Sequence, residues 1–128
     1  MPIIVGYTTK PEGKAALQHA LAEALAHHES LVVVNIGSGV HPEHMLAAEE
    51  DLTEVARALR TAGVEHQIRQ LVRGKEPSQE IVDLATELDA TMIVIGLRRR
   101  SPVGKLLLGS NAQQILLDAS CPVVAVKA

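Results

Sequence analysis

Five short aliphatic runs constrain this chain more than any other feature: residues 2–7, 31–36, 64–72, 91–95 and 122–127. All but the third are near-continuous apolar stretches rich in Val and Ile. Between them, apolar residues recur at steps of three and four, the period of an amphipathic helix. A strand that is apolar on both faces needs cover on both, and crossover helices supply it to a parallel sheet. The alternation therefore predicts an α/β fold, a doubly wound five-stranded parallel sheet with helices on both faces joined by right-handed connections. The third run alternates only partly, with His66, Arg69 and Gln70 among its apolar residues, so it reads as an edge strand with one wetter face.

The helices carry their own punctuation. Thr9, Pro11 and Glu12 fit a capping box opening the first helix, with Leu17, Ala20, Leu21, Ala24 and Leu25 as its inner face and His27 and His28 at its C-terminal end, where the dipole favours cations. A loop over 37–42 precedes a second helix with Met45, Ala48, Leu52, Val55 and Leu59 inward, closed by Gly63. Its acidic residues Glu49, Glu50, Asp51 and Glu54 read as a solvated face. After a turn at 73–76, Pro77 opens a third helix with Ile81, Leu84, Ala85 and Leu88 inward. The fourth turns Ala112, Ile115, Leu116 and Ala119 to the sheet, with Ser110 and Gln113 as a second capping box.

Length and charge narrow the partners. A chain of 128 residues suits a single domain over 1–128. Aromatics make up 1% of it, leaving no stacking platform for single-stranded nucleic acid, and a net charge of −3 gives no basic field for duplex DNA. No apolar run reaches membrane length, and the start lacks the basic region and cleavage site of a signal peptide, so the expected location is the cytoplasm. The lone Cys121 reads as a small buried apolar residue. His41 and His44 lie three apart but have no evident third ligand, so no metal site is expected.

Positive charge concentrates between the fourth strand and fourth helix, in a segment bounded by Gly96 and Ser110 that holds Arg98, Arg99, Arg100 and Lys105. Glycines that permit close backbone approach or positive φ, guanidinium groups and a helix N-terminus together suit an anion, with phosphate the natural occupant. The common phosphate motifs do not match. Gly104 and Lys105 are present, but Arg99 stands where a Walker motif needs its first glycine and Leu106 where it needs a hydroxyl. The turn after the first strand, residues 7–11, has no glycine for a dinucleotide fingerprint. No placed general base or nucleophile marks an enzyme.

The spacing does resemble the carboxy-terminal signature of the universal stress protein family, Gly-x2-Gly-x9-Gly-Ser/Thr, with Gly96, Gly109 and Ser110 on its first, third and fourth positions. The likeness extends along essentially the whole chain, including Gly74 and Pro77 before the third helix and the ending from Cys121 to Lys127. It implies strand order 3-2-1-4-5 and a cytoplasmic stress-response module, not an enzyme, that binds ATP or another adenine nucleotide. It implies phosphate contacts at Gly96, Gly109 and Ser110, while position adds Asn111. The end of the first strand, Tyr7 and Thr8, would face the base. The chain departs from the pattern twice: Arg99 holds the second glycine position, and Thr8 stands where an acidic residue is usual. A guanidinium at 99 can clamp phosphate oxygens or fill the pocket. The second outcome would leave an interaction protein of the same fold. The family likeness and the apolar last strand, 122–127, both point to a homodimer through that strand.

Overall fold

A computed structural model describes residues 1–36, 42–70, 76–97 and 109–128, apart from the side chains of 42–49 and Ser110. The elements run β1 (Ile3–Tyr7), α1 (Pro11–His27), β2 (Leu31–Asn35), α2 (Pro42–Ala62), β3 (His66–Gln70), α3 (Pro77–Glu87), β4 (Met92–Leu97), α4 (Ser110–Asp118) and β5 (Val123–Lys127). The five strands form one parallel sheet in the order β3-β2-β1-β4-β5, as expected.

Strand pleating divides the core into two layers. Ile3, Val5, Tyr7, Leu31 and Val33 point to one face, where they meet α1 and the buried Leu52, Val55 and Leu59 of α2. Ile4, Val32, Val34, Ile93 and Ile95 point to the other, against Ile81, Leu84 and Ala85 of α3 and Ile115 of α4. Central β1 and β2 are buried at every position, whereas β3 at the sheet edge is half-buried or exposed throughout. Burial of aliphatic surface on both faces of the central strands is the main force ordering the sheet.

Several local expectations are corrected. Thr9 does not cap α1: Lys10 occupies the N-cap with no side-chain bond, and Pro11 stands at the first helical position. The buried stripe of α1 is Gly13, Ala16, Ala20 and Ala24, the smallest residues of the helix, which lets its axis approach the sheet. Leu17 and Leu21 pack on its flank, and Leu25 is exposed. Leu116 is likewise exposed instead of inward. Gly109, not Ser110, is the N-cap of α4, so the second capping box is absent as well. Asp51 is no solvated carboxylate, because the Tyr7 hydroxyl donates to its Oδ2. Cys121 is half-buried, with its thiol pKa raised by burial.

Helices α1, α2 and α3 end by one device. Gly63 takes positive φ after α2, with its N–H on the Arg60 carbonyl at 3.1 Å and the Val64 N–H on Leu59 at 3.1 Å. That pair of bonds is a Schellman closure. The same left-handed turn ends α1 at His28 (φ 54°) and α3 at Asp89 (φ 54°), where the side chains gave no warning of it.

Candidate functional site

Among the described strands, the only non-consecutive neighbours are β1 and β4, so the strand order reverses between them. Their ladder runs from Ile3↔Met92 to Val5↔Val94 and stops, although β1 continues to Tyr7 and β4 to Leu97. Beyond that point each strand stays with its outer neighbour, β1 with β2 as far as Tyr7↔Asn35 and β4 with β5 as far as Leu97↔Lys127. The sheet therefore parts at its carboxyl edge. Crevices of this kind are where ligands of open α/β sheets bind.

The expected site residues distribute around this parting unequally. Tyr7 and Thr8 end β1 on one side. Gly96 lies within β4 on the other, not in the loop that follows it. A Cβ at Gly96 would stand 2.2 Å from the Glu12 carbonyl oxygen, so glycine there admits the first turn of α1. Gly13 has a matching role, since its Cβ would lie 2.2 Å from Thr8 Oγ1. Two missing side chains thus seat the N-terminus of α1 against the ends of β1 and β4.

Gly109 differs. It is exposed, and among the described residues a Cβ there would meet nothing within 4 Å. Its φ of −62° is open to any residue, so backbone strain does not call for glycine. The N-cap position favours glycine over larger apolar residues, and close approach of an anion to the α4 amides would favour it as well. Gly109 caps α4, whose first turn holds no carboxylate, and Asn111 is exposed beside it. Arg99 and the rest of 98–108 lie outside the described residues, as do Gly74 and His41.

Tyr7 is buried, with 2% of its surface exposed, and packs in the core beneath α2. Burial first, then the carboxylates of Asp51 and Glu54, pushes its phenol far above the ordinary value. Lys14 of α1 approaches the other Asp51 oxygen at 4.0 Å, so β1, α1 and α2 meet in one polar knot beside the crevice. Next to it, Asn35 Nδ2 donates to Gln70 Oε1 at 3.0 Å across the ends of β2 and β3. Sequence reasoning missed Asp51, Asn35 and Gly13 as neighbours of the site. Only Gly13 carried a signal, as a helix-interior glycine.

This arrangement can hold an anion at the α4 amides while a flat group lies across the parted strands. Among the described residues, no three His, Cys, Asp or Glu side chains gather closely enough for a metal ion. A cleft of about 520 Å³ opens at the opposite pole, lined by Ser30, Glu65, His66 and Leu88 among others, away from the expected site residues.

Comparison with known proteins agrees with the fold. The sequence matches the model of the universal stress protein family over residues 1–127. A universal stress protein of Mycolicibacterium smegmatis is 40% identical, over 98% of this chain and 96% of its own length. Another, from Thermus aquaticus, is 32% identical over 98% and 97%. The solved structure of a universal stress protein from Archaeoglobus fulgidus superposes with a TM-score of 0.82 at 40% identity, covering 99% of this chain and 98% of that one. A structure of the universal stress protein from the same organism in complex with dAMP gives 0.75 at 35% identity, covering 99% and 98%.

Proposed function

Because this chain belongs to the universal stress protein family, we propose that it is a cytoplasmic stress-response module that binds an adenine nucleotide, ATP foremost, across the parted ends of β1 and β4. The phosphates lie at Gly109 and the first-turn amides of α4, with Ser110, Asn111 and Arg99 beside them. Thr8 and the end of β1 bound the base side, and Gly96 contributes through its backbone. The occupied and empty states are the signal, and the module does no designed catalysis. One observation carries this reading: the β1–β4 ladder stops short of both strands' carboxyl ends, and the helix that follows β4 opens on a glycine cap. The dAMP complex of the 35% identical relative supports an adenine ligand.

Gly109→Val tests it. Among the described residues a Cβ there meets no atom, so the variant should fold, with a loss of about 1 kcal/mol from the weaker helix cap. Calorimetric titration with ATP should show binding in the parent protein and none in the variant. Equal affinity in both would put the site elsewhere. A parent protein that binds neither ATP nor dAMP would favour an interaction protein in which Arg99 fills the pocket. We also read β5 as the seat of a homodimer, since it is the outermost strand beside β4 and carries exposed Ala125 and Lys127.

A further inference from the structure

Ser78 is a polar side chain with no exposed surface. It stands at the second position of α3, directly after Pro77, and its Oγ donates to Gln114 Oε1 on α4 at 2.7 Å. Gln114 Nε2 donates in turn to Gln79 Oε1 at 3.2 Å, and Gln79 Nε2 to Asp83 Oδ1 at 2.8 Å. The direction of this chain is set from its far end. An ionised carboxylate only accepts, so Gln79 must present its nitrogen to Asp83 and its oxygen to Gln114. Gln114 then has its oxygen left for Ser78, and the buried hydroxyl is the donor.

The helix so tied has few other anchors. Among the nine residues of α4, Ile115 is the one described side chain that is buried, with half-buried Ala112 packed against the same core, while Leu116 and Leu117 are 40% and 76% exposed. A short helix held by so few apolar contacts can roll about its axis. Gln114 lies one turn in from the Gly109 cap, whose carbonyl accepts the Gln113 N–H at 3.0 Å. A bond at Gln114 therefore fixes the rotation of the first turn of α4, whose amides are the phosphate donors on the reading above.

We propose that Ser78 is a positioning residue for the phosphate side of the site, aiming the α4 amides through Gln114 without touching the ligand. The inference rests on the nucleotide reading above. Donors stabilise a charge well only when they are held on target beforehand, so loosening α4 weakens phosphate binding and leaves contacts to base and sugar intact.

The test compares dAMP with deoxyadenosine, which differ only in the phosphate, by calorimetry on the parent protein and on Ser78→Ala. The variant should bind dAMP about tenfold more weakly, the loss expected for one hydrogen bond's worth of ordering, with deoxyadenosine affinity unchanged. Gln114→Ala breaks the same bond from the surface of α4 and should reproduce the result, which covers the case of Ser78→Ala failing to fold. Equal losses for both ligands would mark a merely structural role and overturn the proposal, as would an unchanged dAMP affinity in folded protein. If the parent binds neither ligand, the nucleotide reading itself fails and this inference falls with it. Hydrogen exchange separates the two failures. Faster exchange confined to the first turn of α4 in the variants shows that the tie orders that helix, and unchanged exchange shows that it does not.

Discussion

Tyr7 is the only aromatic side chain in the protein, which makes its burial directly measurable. Folding keeps its phenol neutral above the ordinary value of 10.0, chiefly through burial and then through Asp51. The sign follows from proton counting. Above about pH 10 the unfolded chain releases a proton that the folded chain retains, so stability is level below that pH and falls as pH rises further. Phenolate absorbance in the native protein should therefore appear together with loss of the helical signal. Tyr7→Phe should cost about 1.5–3 kcal/mol at neutral pH through loss of a hydrogen bond to a charged acceptor, and should lose this alkaline dependence. Phenolate forming at its ordinary pH in a protein that is still helical would contradict the buried geometry. Asp51 was not legible as the partner, because a bond spanning 44 residues leaves no local pattern. Gly96 shows the opposite limit. Its motif position was legible, but the contact with Glu12 that demands glycine there was not. A loss of binding after substituting Gly96 would report displaced packing as much as a lost phosphate contact.

Elements were easier to read than residues. Continuous apolar runs announced the four strands β1, β2, β4 and β5, and partial alternation announced the edge position of β3. Helix termini were harder: Gly63 declared itself, whereas His28 and Asp89 are exposed non-glycine residues that adopt the same left-handed turn as the backbone closes, with Glu29 N–H on Ala24 and Ala90 N–H on Ala85. The fourth helix misled at Leu116 because nine residues give too little periodicity to fix which way its apolar stripe faces. The edge strand β5 carries the dimer prediction. Ile93 N–H donates to the Pro122 carbonyl, and the alternation of the ladder then turns the amides of Val124 and Val126 toward β4 and that of Ala125 away. Ala125→Pro should therefore remove an outward donor, spare the sheet and give a folded monomer in sedimentation. Val124→Pro, which breaks the inner ladder, should cost stability as well. A dimer that survives Ala125→Pro intact would place the interface elsewhere.

For the whole molecule, the order 3-2-1-4-5 was legible because five strands alternating with helices, with a basic loop after the fourth, resemble one family from end to end. The parting of β1 from β4 was not, since both strands read as apolar to their ends. That parting has a kinetic consequence. Every other strand pairing joins neighbours in the sequence, so β1–β4 is the one seam that must wait for distant chain segments to meet. A ligand lying across it touches both sides only after they have met, and so stabilises the native state without helping the transition state. Bound nucleotide should then slow unfolding and leave the refolding rate unchanged, as separate limbs of a stopped-flow chevron would record. Faster refolding with nucleotide present would mean the seam closes before the rate-limiting step. On the proposed nucleotide binding, ligand concentration would then set how long each molecule persists once folded and leave its rate of folding untouched.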